Sequence, residues 1–299
     1  MNYYENIKDH LIRNEINHRI KDYSKNKSDL ETYYGVGKLL VIAQGGETRA
    51  KYGDGLIKEY ANRLTTELGK GYTIAALKRM RKFYLIIEKG ATLSHQLNYS
   101  LYVEILKLDD INEINYYIDL CISNNLSVRE LRNKIKNNYY KRLDSNTKLK
   151  FIENKNTNII ETVKNPIIIP NPNNIEIYKE ITLQSLILEN YQDFFKELGE
   201  GYSLIGNEYK IRIGNTYHRI DLLLFNYFYN CFVVVELKIG EFKDRYISQV
   251  LKYMNYVDKN IKKNVHFNTI GIILCHKDNK LVMEYCSNPN IIIREYILN

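Results

Sequence analysis

Two intensely apolar runs, RIDLLLFN at 219–226 and CFVVVELK at 231–238, carry charged residues in their interiors, and this constrains the chain more than any other stretch. Their Val, Leu, Ile and Phe content and their close spacing read as neighbouring strands buried in a sheet. Asp221, Glu236 and Lys238 stand inside them. A carboxylate or ammonium stripped of water in such surroundings is costly unless a partner or a metal ion compensates.

Side chains alternate across a strand, so Val234, Glu236 and Lys238 share one face while Val233, Val235 and Leu237 share the other. If the two runs are antiparallel and reverse between Asn226 and Asn230, Asp221 falls roughly opposite Glu236. Two carboxylates and one ammonium then converge at the end of a small sheet. Carboxylates this close repel, and one is driven to protonate unless a divalent cation sits between them. Mg²⁺, with Mn²⁺ as a substitute, takes carboxylate, carbonyl and water oxygens and keeps positions open for a phosphate. In that arrangement Asp221, Glu236 and the main-chain carbonyl of Leu237 hold the ion. Lys238 positions the attacking water and stabilises the charge building on a phosphorane, as metal-assisted phosphodiester hydrolysis requires. The competing reading of the same three residues is a structural ion pair at a strand end.

Around these runs the hydrophobic period changes along the chain. Upstream it is helical: GLIKEYANRLTTELGKGYTIAALKRMRKFYLIIEK reads as a helix from about Leu56 to Gly69, a break at Gly69 and Gly71, and a second helix capped by Thr73. Leu77, Met80, Tyr84 and Ile87 recur on that second helix at core spacing. Helix, short Gly-containing turn, helix is the helix-turn-helix order. SVRE at Ser127–Glu130 is a capping box opening a further helix. Downstream, ITLQSLILENYQDFFKELG reads as one amphipathic helix with Leu183, Leu186, Ile187, Phe194 and Phe195 as core positions. YKIRI, TIGIILC and NIIIREYI join the two charged runs as strands. A helix with Ile247, Val250, Leu251, Met254 and Val257 on its apolar stripe lies between. The expected fold is therefore α+β in two domains. An all-helical or winged helix-turn-helix domain spans 1–150, a linker 151–174, and an α/β sandwich 175–299. The linker rests on KNPIIIPNPNN, which holds three of the four prolines.

At 299 residues, 44% hydrophobic and 26% charged, the chain suits two globular domains. Its net charge of +8 lies wholly in residues 1–150, with 26 Lys+Arg against 18 Asp+Glu, whereas 151–299 hold 17 of each. Thr73, Lys78, Arg79, Arg81 and Lys82, at the cap and on the second helix of that helix-turn-helix, are accordingly the candidate nucleic-acid contacts, chiefly to phosphates. MNYYENIKDH has no basic region followed by an apolar core, and no apolar run approaches membrane-helix length. Cys121, Cys231, Cys275 and Cys286 form no CxxC pair. A cytoplasmic protein without a membrane partner, zinc site or disulfide framework is expected.

Asp221 followed fifteen residues later by Glu236-Leu237-Lys238 resembles the D…(D/E)xK signature of the PD-(D/E)xK nucleases. ILENYQDFFKELGEGYSLIG, YKIRIGNTYHRIDLLLFN, FVVVELKIGEFK, the Gln249 helix and TIGIILC resemble, block by block, the nuclease domain of the YhcG-like family. TYYGVGKLL, YGDGLIKEYANRLTTEL and TIAALKRMRKFY resemble that family's N-terminal, winged-helix-like domain, so the likeness runs from about Thr32 to the end. The resemblance implies a restriction-endonuclease-like fold and a metal-dependent DNA endonuclease in DNA repair, recombination or phage defence, and a homodimer, since cutting two strands is easiest with two sites. It places Glu189 where the family has an acidic residue near the metal, and Gln249 where related nucleases orient the active site. Ile220 replaces the signature's Pro, and Gly35 and Tyr99 lie near positions where relatives have tryptophans. A catalytically silent nucleic-acid-binding protein and an RNA nuclease remain the alternatives, because the metal chemistry is blind to the 2′-hydroxyl.

Overall fold

The computed structural model describes residues 3–18, 22–46, 54–153, 155, 157–277 and 288–299. They divide into two compact units, Met1–Tyr140 and Lys141–Asn299. Four cations of the first 150 residues, Lys141, Arg142, Lys148 and Lys150, and one acid, Asp144, therefore fall in the second unit. The charge excess divides five to three rather than eight to none. The asymmetry expected from the sequence shrinks because the boundary lies ten residues earlier.

Every element described in the first unit is a helix: α1 (Tyr3–His18), α2 (Asp22–Ala43), α3 (Asp54–Leu68), α4 (Ile74–Glu88), α5 (Tyr99–Ile105), α6 (Ile111–Asn124) and α7 (Val128–Lys136). No wing strand occurs among its described residues. The Thr73 hydroxyl accepts from the Ala76 amide and caps α4, and the Ser127–Glu130 box opens α7. On α4 the buried stripe is Ala76, Leu77, Met80, Phe83 and Ile86. Tyr84 and Ile87, expected in the core, are only half-buried, and Tyr84 packs edge-on against Tyr34. The stripe is displaced because α2 crosses α4 at Gly37. A Cβ there would lie 2.2 Å from the Met80 carbonyl oxygen and 2.8 Å from the Tyr84 Cβ, so the two backbones touch.

The second unit begins with α8 (Ser145–Ile152), α9 (Ile159–Thr162) and β1 (Ile167–Ile169). Then come α10 (Glu180–Glu189), α11 (Tyr191–Leu198), β2 (Tyr202–Ile213), β3 (Thr216–Asn226), β4 (Cys231–Glu241), α12 (Arg245–Asn260), β5 (Ile270–Lys277) and β6 (Ile291–Leu298). The strands form one mixed sheet in the order β1-β6-β5-β4-β3-β2. β2, β3 and β4 are an antiparallel meander, while β5, β6 and β1 continue it in parallel. Leu222, Leu224, Val233, Val235 and Leu237 bury one face with α10 and α11. Leu223, Val234, Ile273 and Cys275 bury the other with Val250, Met254 and Val257 of α12. The result is a three-layer α/β/α sandwich. Gly271 lets α12 sit close on the sheet, since a Cβ there would lie 2.4 Å from Val250 Cγ1.

Three local expectations are corrected. The segment 180–198 is two helices, broken at Asn190, whose ψ of 33° leaves the helical range; Phe194 is buried and Phe195 half-buried. On α12, Ile247 and Leu251 are half-buried, and Tyr246 and Tyr253 fill the core positions beside them. Residues 151–174, expected as a linker, contain α9 and β1 and belong to the second unit. Pro166 and Pro170 flank β1 rather than interrupt it, which is where strands tolerate proline. Cys121, Cys231 and Cys275 are buried, the Cys275 thiol donating to the Arg294 carbonyl, and Cys286 lies outside the described residues. Among the described residues no helix is long and apolar enough to cross a membrane.

Candidate active site

The β3–β4 ladder runs from Asn226 paired with Cys231 to Leu222 paired with Val235 and stops there. The next step of that register sets Asp221 opposite Glu236, as the hairpin reading expected. Where the ladder ends, side chains take over the backbone's bonding. The Asp221 Oδ2 accepts from the Leu237 amide at 2.7 Å, and the Asp221 carbonyl accepts from Gln184 Nε2 at 2.8 Å. Asp221 is thus pinned from β4 on one side and from α10 on the other.

Glu236 is 1% exposed, yet its carboxylate is only half satisfied. Oε1 accepts from Lys238 Nζ at 2.8 Å and from Gln249 Nε2 at 2.6 Å. Oε2 is buried and meets no hydrogen-bond partner. Gln249 also donates to the Tyr253 hydroxyl at 3.2 Å, which fixes the amide on α12. Lys238 Nζ reaches Glu180 on α10 at 3.2 Å as well, so the ammonium is held between two carboxylates.

The electrostatics follow from burial. Burial first, and then the charge of Asp221, pushes the Glu236 carboxyl up to about 7. Burial likewise raises Asp221 to about 6, against the opposing pull of the Leu237 amide and Lys238. Burial alone would lower the Lys238 ammonium, but the bond to Glu236 and the charges of Glu236, Glu180 and Asp221 outweigh it and leave it raised. Two carboxylates that resist ionisation beside a firmly charged lysine are a cluster short of positive charge.

A metal ion suits that deficit. Glu236 Oε2 is an orphaned buried oxygen, and the neighbouring donors are hard oxygens of the kind Mg²⁺ and Mn²⁺ take. Among the described residues no group of three or more His, Cys, Asp and Glu side chains is arranged to hold a metal. Any ion here would rest on two carboxylates completed by main-chain oxygen and water.

These features match known proteins. Residues 160–298 match the family described as the YhcG PDDEXK nuclease domain, and residues 11–142 match the DUF1016 N-terminal domain. The chain belongs to the YhcG-like family of PD-(D/E)xK nucleases. An Escherichia coli (strain K12) protein named "Putative nuclease YhcG" is 26% identical over 283 residues, covering 82% of this chain and 76% of its own length. A solved repair endonuclease from Pyrococcus abyssi is 22% identical over 40% of this chain and 49% of its own, about half its length, with a TM-score of 0.28. PD-(D/E)xK nucleases generally use divalent metals, in keeping with the unmet Glu236 oxygen of this YhcG-like site.

Of the residues singled out from the sequence, Asp221, Glu236, Leu237, Lys238 and Gln249 come together. Glu189 does not. It is the exposed last residue of α10, nine positions beyond Glu180, about 13 Å along the helix. Glu180 stands at the site instead. Sequence reasoning also missed Gln184, whose i, i+4 relation to Glu180 on α10 was the available signal. His218 packs its ring 6.2 Å from that of Tyr253. We expect Glu189→Gln to leave nuclease activity within about twofold of wild type, and Glu180→Gln to lower it roughly tenfold by freeing the Lys238 ammonium. Steady-state cleavage rates of the two variants check this, and the reverse ranking would return the role to Glu189.

The candidate nucleic-acid contacts lie in the first unit. Lys78 and Arg79 are exposed on α4, Arg81 and Lys82 half-buried, and Thr73 is occupied as the cap. Lys78, Arg81 and Lys82 share one face of α4, and Arg79 lies off it.

Proposed function

We propose that the protein is a divalent-metal-dependent DNA endonuclease, and the single observation that carries this is the half-satisfied Glu236 beside Asp221 and Lys238. Asp221, Glu236 and the Leu237 carbonyl would hold the ion, with Mg²⁺ the first choice and Mn²⁺ a substitute. Bound there, such an ion supplies Lewis acidity and a water of lowered pKa. The protein's own groups do the rest. Gln249 and Lys238 occupy Glu236 Oε1, which directs the free Oε2 to the ligand side. Lys238, braced by Glu180, sets a positive charge where charge develops on the phosphate oxygens. Gln184 and the Leu237 amide keep Asp221 from rotating away. The cationic face of α4 supports docking of the DNA backbone on the helical unit, and cutting of both strands fits a homodimer acting in the cytoplasm.

The test is cleavage by the full chain of supercoiled, linear, branched and single-stranded DNA and of RNA, each with Mg²⁺, with Mn²⁺ and with chelator. The expected result is cleavage of DNA that chelator abolishes. Cleavage that persists in chelator would reject the metal site. Binding without cleavage on every substrate would reject the enzyme, and cleavage of RNA alone would reject DNA as substrate.

A further inference from the structure

The first unit holds a cavity of about 450 Å³, within the range of small-ligand sites, lined by the cationic face of α4 and by residues from the neighbouring helices and loops. Lys78, Arg81, Lys82 and Lys89 line it against one carboxylate, Asp109. Spacings of three, four, seven and eleven from Lys78 place Arg81, Lys82, Leu85 and Lys89 on a single helix face, so the sequence itself aims this charge at one place. Leu85, Leu108 and Ile111 supply an apolar wall.

Arg81 is the least settled member. Its Nε donates to Gln44 Oε1 at 2.6 Å, while its Nη2 is buried and meets no hydrogen-bond partner. A guanidinium presents its donors as a fork that matches the paired oxygens of a phosphate. A buried donor without an acceptor is costly, and a turn of the half-buried Arg81 guanidinium toward an anion in the cavity that the residue lines would relieve it. Lys82 is paired with Asp109 at 3.2 Å, but the Asp109 side chain is 93% exposed, so that pair is readily exchanged for a stronger anion.

We propose that this cavity binds one phosphorylated nucleotide, with Arg81 and Lys82 on the phosphate and the Leu85, Leu108 and Ile111 wall against the sugar or base. The source is either a free mononucleotide or the 5′-phosphorylated end of a strand. The second would deepen the reading that nucleic acid docks on the helical unit, and neither depends on cleavage in the second unit.

The experiment titrates the full chain carrying Asp221→Asn, so that no probe is cut, at fixed ionic strength. The probes are dAMP, a 5′-phosphorylated hexadeoxynucleotide, and the same hexamer with a 5′-hydroxyl. The phosphorylated hexamer is expected to bind at least tenfold tighter than the hydroxyl form. Arg81→Gln should erase that preference, and Asp109→Asn, which removes the one lining carboxylate, should tighten binding severalfold. Lys70→Gln, exposed and outside the cavity, should change nothing. Binding of dAMP comparable to that of the phosphorylated hexamer assigns the free nucleotide as ligand; preference for the hexamer assigns the strand end. Equal binding of phosphorylated and hydroxyl hexamers, or binding untouched by Asp109→Asn in a chain whose thermal transition is intact, overturns the site. If Arg81→Gln does not fold, Asp109→Asn decides alone.

Discussion

Asp221→Asn is expected to lower metal-dependent cleavage by at least ~10³-fold, on the order of 4 kcal/mol of barrier, while making the metal-free protein more stable at pH 8. The substitution keeps an oxygen to accept from the Leu237 amide and removes only the charge. That charge is one of the causes that raise Glu236, after burial, so both carboxylates become easier to satisfy without an ion. The sign follows from linkage. A carboxyl whose folded pKa is raised binds protons more tightly folded than unfolded, so the stability of metal-free wild type falls as pH rises from about 4 through about 7. The variant should show a flatter pH profile over that window and a midpoint higher by on the order of 5 °C at pH 8. Mg²⁺ should raise the wild-type midpoint and leave the variant's nearly unchanged, since only a ligand that binds the native state stabilises it. Thermal melts with and without Mg²⁺ at pH 5 and pH 8 read all of this. A variant that melts below wild type at pH 8 without metal, or gains as much from Mg²⁺, would show that Asp221 is a structural ion-pair member and no ligand.

The central site was legible because its information is local. A period of two, a short turn and three misplaced charges fix which residues face one another, and the ladder from Asn226–Cys231 to Leu222–Val235 has the register those features dictate. Thr73 and the Ser127–Glu130 box were legible for the same reason, since a cap bonds only two or three residues ahead. What the sequence hid depends on distant partners. The family resemblance places Glu189 at the site, but the approach of the first turn of α10 to Lys238 brings Glu180 there instead, and Glu189 ends the helix away from it. The three residues of β1 between prolines look like linker until β6 pairs with them, Ile167 beside Tyr296. The stripe of cations on α4 was visible; the cavity it lines was not, because its opposite walls come from Gln44, Leu108 and Ile111, far along the chain.

The largest stability loss is expected from Arg142→Ala, at the very start of the second unit. Arg142 and Glu197 form a buried ion pair, their side chains 9% and 6% exposed. The guanidinium Nη2 also reaches Glu197 Oε1 at 3.2 Å, and Nη1 donates to the Pro166 carbonyl at 2.7 Å. Glu197 Oε2 accepts from the Ile168 amide at 3.0 Å, and Lys164 Nζ donates to the carbonyls of Lys196 and Glu197. The Glu197 carboxylate on α11 therefore ties down Arg142 and β1, and the carbonyls at the end of α11 hold Lys164, which is why the proline-rich stretch is packed rather than loose. Burial alone would raise the Glu197 carboxyl, but the Arg142 bond, the charges of Lys164 and Arg142 and the Ile168 amide hold it below the ordinary range. Its stabilisation is thus present above the unfolded carboxylate pKa and is lost as pH falls through the lower folded value. Removing one partner leaves the other charge buried, at a cost of roughly 3–5 kcal/mol, or a midpoint lower by on the order of 10 °C for a unit of this size. The paired replacement Arg142→Met with Glu197→Leu should recover most of that loss, because an apolar pair needs no desolvated charge. Calorimetry of the single and double variants at pH 7 separates the cases. A single variant within about 1 kcal/mol of wild type would mean that water reaches the pair and that the packing of β1 and α11 owes little to it.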